Sequence, residues 1–227
     1  MAMFDRFETD LIPTSAGDLS IIFLGHGSLV MAFRGMTIYV DPFGKVADYA
    51  SLPKANLVLV THEHFDHLDP QALSSVRTDK TILVLTENCP QEIKGGIIMH
   101  NGDVKTVAGI PVEAVAAYNM IHKRPTGDPY HPKGSGNGYV LGFGGTRLYI
   151  AGDTENTPEM KALKEIDIAF LPMNLPYTMT PEMVADAAKA FQPRILYPYH
   201  YGDTDVSILA ELLKGEKEIE IRIRKMS

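Results

Sequence analysis

Residues 60 to 70 read V-T-H-E-H-F-D-H-L-D-P, and three of the chain's eight histidines, His62, His64 and His67, fall within six positions there, beside Asp66 and Asp69. The stretch follows Asn56-Leu57-Val58-Leu59-Val60, an apolar run typical of a strand buried on both faces. A polar segment from Pro70 to Thr78 reads as a helix and Thr81 to Leu85 as the next strand, so the cluster sits inside a β-α-β unit. Imidazole and carboxylate together suit Zn, Mn or Fe. His62 and His64, two apart at a strand end, are expected to point the same way. Asp66 and His67, at the turn into the helix, reach a second point nearby. The spacing H-x-H-x-D-H therefore predicts two adjacent metal positions, which in two-metal sites lie about 3.5–4 Å apart. A zinc-binding H-E-x-x-H begins at His62-Glu63 but fails at position 66, which is Asp.

Outward from this stretch the first half is strand-rich: Leu19 to Leu24, Leu29 to Phe33 and Thr37 to Val40 are β-prone runs separated by glycines. In the second half, Gly138 to Phe143 and Thr146 to Ile150 read as a hairpin around Gly144-Gly145, and Asp167 to Leu171 and Arg194 to Tyr197 as strands. Thr180 followed by Pro181 marks a helix start, with Met183, Val184, Ala187, Ala188 and Phe191 on one apolar face. A last helix is expected over Val206 to Lys214, and the alternating tail Glu218 to Arg224 reads as a half-buried strand. Two echoes link the halves. Gly35 to Asp41 is similar to Gly145 to Ile150 with Asp153 beyond it, and the run ending in His62 is similar to the run ending in His200. They predict two similar β-rich halves that each deliver ligands from strand ends. The long segment Asn119 to Gly138 reads as a functional loop.

At 227 residues, with ordinary apolar and charged fractions, one globular domain over 1–227 is expected. The formal charge of −7 argues against a nucleic-acid backbone as partner. No run approaches the roughly 20 apolar residues of a membrane span, and the N-terminal residues carry no export signal. Cys89 is the only cysteine, which excludes an internal disulfide and fits a reducing compartment, the cytoplasm.

The motif T-H-E-H-F-D-H resembles the H-x-H-x-D-H signature of the metallo-β-lactamase superfamily. In order along the chain come G-H-G-S (Gly25 to Ser28), D-P (Asp41-Pro42), A-G-D-T (Ala151 to Thr154) and P-Y-H-Y (Pro198 to Tyr201), each similar to a family element. The closest likeness is to the branch holding L-ascorbate-6-phosphate lactonase and uncharacterised metal-dependent hydrolases. The resemblance implies an α/β (α+β) fold, a four-layer αββα sandwich, with a dinuclear site at one edge. It implies His62 and His64 on the first metal, Asp66, His67 and His200 on the second, and Asp153 bridging both. The third ligand of the first metal has two candidates, His122 and His131; His131 is favoured because it lies seven residues before Gly138, the start of the strand leading to Asp153. His26 and Asp41, at strand ends facing the site, are expected to orient ligand imidazoles.

Two divalent cations, Zn or Mn with Fe as a further option, would acidify a water that attacks an ester, lactone or phosphodiester. Asp66 is the candidate to pass a proton to the leaving group. Arg124 and Lys133 in the long loop are candidates to hold an anionic group of a small-molecule substrate, with His122 and Tyr177 near it. Two other readings compete. Flavodiiron redox enzymes share the fold but carry glutamate at the second histidine, where this chain has His64. A metal-binding protein without catalysis would be expected to have lost part of this ligand set.

Overall fold

The computed structural model describes residues 4–90 and 93–227. Strands β1 (Glu8–Thr14), β2 (Gly17–Gly25), β3 (Ser28–Phe33), β4 (Met36–Val40), β5 (Leu57–Leu59), β6 (Ile82–Leu85) and β7 (Gly96–Ile98) form one sheet in chain order. Strands β8 (Val104–Val107), β9 (Ile110–Ala117), β10 (Gly136–Phe143), β11 (Thr146–Ile150), β12 (Ile168–Pro172), β13 (Ile195–Tyr199) and β14 (Glu220–Ile221) form the other, also in chain order. Each sheet begins with three antiparallel pairings and ends with three parallel ones. The two halves thus share one plan. Strands β4 and β11, which carry the first echo, hold the same position in their sheets. The second echo does not map this way: β5 is matched by β12, not by β13, the strand before His200.

Side-chain alternation assembles the layers. Ile21, Val40, Leu57, Leu59, Leu148, Ile150 and Phe170 belong to a core between the two sheets. Their neighbours Ile22, Tyr39 and Val58 face the opposite way, onto Leu68, Leu73 and Val76 around α1 (Pro70–Val76). Tyr149, Ala169 and Leu171 face Met160, Val184, Ala188 and Leu209 on α2 (Pro158–Lys161), α3 (Pro181–Phe191) and α4 (Val206–Leu212). Strands apolar on both faces thus give helix, sheet, sheet, helix, the αββα sandwich, and each fully buried Leu or Ile contributes about 2 kcal/mol. Among the described residues no helix is long and apolar enough to cross a membrane.

The helix starts follow the sequence signals. Asp69 accepts from the backbone N–H of Gln71 and Ala72 at the start of α1, and Thr180 accepts from Met183 at the start of α3. Strands β1, β7, β8 and β9 lie outside the runs legible above; β1 is acidic and largely exposed, and β9 is interrupted by Pro111 and Glu113. Cys89 is a buried free thiol, and His100 lies exposed.

The tail departs from expectation: only Glu220–Ile221 pair as a strand. Beyond them the chain is held by side chains. Arg224 forms hydrogen bonds of 2.8–3.1 Å to Asp10 on β1, Arg222 lies 3.4 Å from the same carboxylate, and the Tyr197 hydroxyl donates to it. Burial raises the Asp10 pKa, but the bonds from Tyr197 and Arg224 outweigh it and hold the carboxyl below its ordinary range. A depressed folded-state pKa stabilises above the unfolded value and is lost as pH falls through the folded one. Asp10→Asn is therefore expected to cost about 2 kcal/mol at neutral pH. The gap should close below about pH 4. Urea unfolding at both pH values checks this; equal midpoints at neutral pH would count against the clamp.

Candidate metal centre

The site is built where strands end, at one edge of the sandwich. The loops after β4 and β5 bring Asp41 and residues 61–67; those after β11 and β13 bring Asp153 and His200; the β2–β3 turn brings His26. His62 and His64 lie in the loop beyond β5 rather than on a strand, yet converge: Nε2 of His62 is 3.0 Å from Nδ1 of His64. Gly27 lets the β2–β3 turn lie close on the ligand ring, since a Cβ there would stand 3.0 Å from Cε1 of His67 and press on it. Three non-glycine residues of the site, His26, Asp41 and His200, have positive φ (54°, 46° and 46°). Such backbone costs about 1–3 kcal/mol each and persists where the surroundings impose it, which is typical of functional sites.

The donor atoms gather into three overlapping groups, each within 4.8 Å: His62, His64 and His131 in one, His26, Asp66, His67 and His200 in another, and His62, His67 and Asp153 in a third that joins them. Asp153 lies between. Its Oδ2 is 3.3 Å from Nε2 of His131, while its Oδ1 is 3.5 Å from Nε2 of His67 and 3.6 Å from Nε2 of His200. Those last three atoms, His67 Nε2, His200 Nε2 and Asp153 Oδ1, are buried without a hydrogen-bond partner. Unpaired buried polar atoms are costly, and three lone-pair bearers facing one point fit a cation.

The imidazoles are oriented from behind. Asp41, wholly buried, accepts from Nδ1 of His67 at 2.8 Å and from the Thr61 backbone N–H and hydroxyl, which turns Nε2 of His67 toward Asp153. Asn119 Oδ1 accepts from Nδ1 of His131 at 2.7 Å and leaves Nε2 of that ring for the centre. The Asn174 amide lies 3.3 Å from Nδ1 of His200. His26 reaches Asp66 Oδ2 at 2.9 Å and packs on the His200 ring with centroids 3.8 Å apart. It stands as close to the centre as the ligand candidates, nearer than a purely orienting role requires.

Electrostatics agrees with a site awaiting positive charge. Burial pulls His62 well below the ordinary histidine pKa, with the neighbouring His67 adding to it. For His67 burial acts in the same direction, but Asp153 and Asp41 outweigh it and hold the imidazole well above its ordinary value. Burial raises Asp153, and the adjacent His200 and His67 outweigh it, keeping the carboxyl well below its usual range. Asp66 shows the same contest: burial raises it, and hydrogen bonds to His200 and His26 bring it lower.

The cleft over this centre, about 490 Å³, is lined by His64, Phe65, Asp66, Arg124, Tyr130 and Tyr177, among others. Two expected substrate residues are not part of that wall. Lys133 points its ammonium at Glu159 (2.7 Å) and over the Tyr118 ring, because that carboxylate and ring lie within its reach. His122 turns to Glu155, with Nδ1 2.8 Å from Oε1. Glu155 carries no obvious signal in the sequence beyond its place two residues after Asp153. Fully buried, it accepts the backbone N–H of Met120, Ile121 and His122 at 2.7 Å each and the Asn119 side-chain N–H at 3.2 Å. Asn119, which holds His131, donates also to the Tyr177 carbonyl at 2.9 Å.

The comparisons with known proteins agree with this architecture. The beta-lactamase superfamily domain matches residues 20–200. The chain belongs to that superfamily, in its metal-dependent, metallo-β-lactamase form. A crystal structure from Parabacteroides distasonis, provisionally designated a metal-dependent hydrolase, superposes with a TM-score of 0.93 at 47% identity, covering 98% of this chain and 100% of the other. A UPF0173 metal-dependent hydrolase of Koribacter versatilis is 32% identical over 217 residues, 89% of this chain and 92% of its own. Igni18, a metallo hydrolase of Ignicoccus hospitalis, shares the fold with a TM-score of 0.73 at 21% identity, over 92% of this chain and 96% of its own.

Proposed function

We propose that this metal-dependent hydrolase holds two divalent cations, Zn or Mn with Fe as the further option, and cleaves an ester, lactone or phosphodiester of a small molecule. One observation carries the reading: the two oxygens of Asp153 face different imidazole groups, Oδ2 toward His131 and Oδ1 toward His67 and His200. His62, His64 and His131 would hold one cation, Asp66, His67 and His200 the other, and Asp153 both. Bound cations of this kind acidify a water and polarise the substrate oxygen. Asp41 and Asn119 keep the ring nitrogens of His67 and His131 aimed inward, so ligand geometry is set before anything binds. Asp66, half-exposed on the cleft wall and steadied by His26, is placed to pass a proton to the leaving group. Arg124, also on that wall, is placed to receive an anionic group. The acidic balance favours a small molecule over nucleic acid, and the lone cysteine a reducing cytoplasm.

Elemental analysis of the purified protein tests the centre. Two equivalents of metal per chain are expected. His131→Ala should fall to one or fewer, while His122→Ala keeps both; loss of metal in the His122 variant alone would overturn the assignment. Asp66→Asn tests the proton role on a panel of esters, lactones and phosphodiesters at matched metal loading. About a 100-fold or greater fall in turnover, steepest for substrates with poor leaving groups, is expected. Unchanged turnover with both metals retained would remove the role.

A further inference from the structure

Ten large apolar side chains are exposed among the described residues; Phe65 and Tyr177 line the metal cleft, Leu175 stands between its wall residues Asn174 and Tyr177, and Met120 and Ile121 belong to the loop that carries its wall residues Arg124 and Tyr130. Single exposed apolar residues are ordinary; a concentration of them beside one polar cleft marks a binding surface. Phe65 is 60% exposed although it stands in the middle of the ligand-bearing stretch, and its ring meets that of Phe43 edge-on with centroids 5.8 Å apart. Across the cleft, Tyr177 and Leu175 share a turn that closes through the Tyr177 N–H to the Asn174 carbonyl at 2.9 Å. The bond from Asn119 to the Tyr177 carbonyl ties this turn to the loop of Met120 and Ile121. Met120, Ile121 and the turn of Leu175 and Tyr177 are therefore fixed to the same Asn119 and Glu155 framework that holds His131.

A cation stands within this surface. Arg124 sits on a tight loop closed by its own N–H to the Asp128 carbonyl (2.7 Å) and by the Gly127 N–H to its carbonyl (2.9 Å). Its guanidinium donates to the Tyr130 carbonyl at 3.2 Å and lies 5.2 Å from the Tyr130 ring centre, and Tyr130 meets Tyr177 edge-on at 5.1 Å. No carboxylate pairs with it among the described residues. An ordered guanidinium without a counter-charge, held against aromatic rings at the wall of a cleft, is suited to an anionic group.

We propose that the substrate is an amphiphile, a small anionic molecule carrying an alkyl or aryl group. The reacting centre lies at His62 to His67, the anion reaches Arg124, and the apolar group lies on the rim of Phe65, Ile121, Leu175 and Tyr177. This rests on the metal-centre reading above and names its substrate class. A purely polar substrate leaves the rim without a partner. An alkyl chain gains affinity by covering it, about twofold for each half-buried methylene.

The test is binding of methylphosphonate and hexylphosphonate to the metal-loaded protein, measured by calorimetry. The wild type should bind the hexyl compound about 30-fold tighter. The double variant Ile121→Ser, Leu175→Ser, which leaves the Tyr130–Tyr177 pair behind Arg124 intact, should reduce that gain below about fivefold while leaving metal content and methylphosphonate affinity unchanged. Arg124→Gln should weaken both phosphonates by about tenfold and leave the chain-length gain intact. Equal affinities for the two phosphonates in the wild type, or an undiminished gain in the rim variant, would overturn the proposal. So would rim-dependent binding to phosphatidylglycerol vesicles, or a wild-type dimer that the rim variant turns into a monomer, since either would assign the rim to another occupant. A failure of the metal-centre reading would look different: metal equivalents below two, with neither phosphonate bound.

Discussion

Asp153→Asn is expected to empty the centre: bound metal falls from two equivalents to one or none, and turnover falls by more than about 100-fold, the upper range for loss of a residue that merely supports a ligand. The expectation follows from position. Asp153 is buried, one oxygen lies 3.3 Å from His131, and the other lies 3.5 and 3.6 Å from His67 and His200. Asparagine keeps the volume but withdraws the charge that balances a cation, and its amide nitrogen presents a donor where a lone pair is needed. Both ligand groups are affected at once. The fold itself should hold, because Gly152, whose φ of 66° and close approach to Asn137 and Thr61 shape the turn, is untouched. Plasma emission for metal and circular dichroism for fold read the two effects separately. Retention of both cations by Asp153→Asn would break the shared-carboxylate reading. Metal retention should also weaken as the pH falls, because the imidazoles bind cations only when neutral.

Glu155→Gln is expected to act from outside the ligand set. Burial raises this carboxyl, and the N–H groups of His122, Met120 and Ile121 outweigh burial and leave it below its ordinary pKa. Replacing one oxygen with an amide turns a donor toward the backbone N–H donors that this buried carboxylate accepts from. About 3 kcal/mol of stability should be lost. For a chain of this size that corresponds to a fall of about 6–12 °C in Tm. Because Glu155 also holds Asn119, and Asn119 holds His131, affinity for the first cation should drop about 10–100-fold. Asn119→Ala separates the two effects: it should show the loss of affinity with a smaller loss of stability. Differential scanning calorimetry and a competitive chelator titration measure them. A Glu155→Gln protein with wild-type metal affinity would show that the loop holds His131 without this carboxylate.

Much of this was readable along the chain. The order of donors in His62 to His67 fixes their mutual reach, since residues two to five apart at a strand end cannot be far apart. The caps at Asp69 and Thr180 are short-range chemistry, and the double-faced apolar strands declare a sheet covered on both sides. The shared plan of the halves showed in β4 and β11. The tail misled, because its alternation served ion pairs to Asp10 on a strand more than 200 residues earlier as well as a short strand pairing.

The placing of His131 beside His62 and His64 while His122 turns to Glu155, the diversion of Lys133 to Glu159, the anchoring of the loop by Glu155 and the exposure of Phe65 and Tyr177 on one cleft wall were decided only by tertiary structure. Local spacing constrains which way neighbouring side chains point. Which groups meet from opposite sheets depends on how the two sheets close on each other, and that is set by the buried core between them, not by any short run of residues.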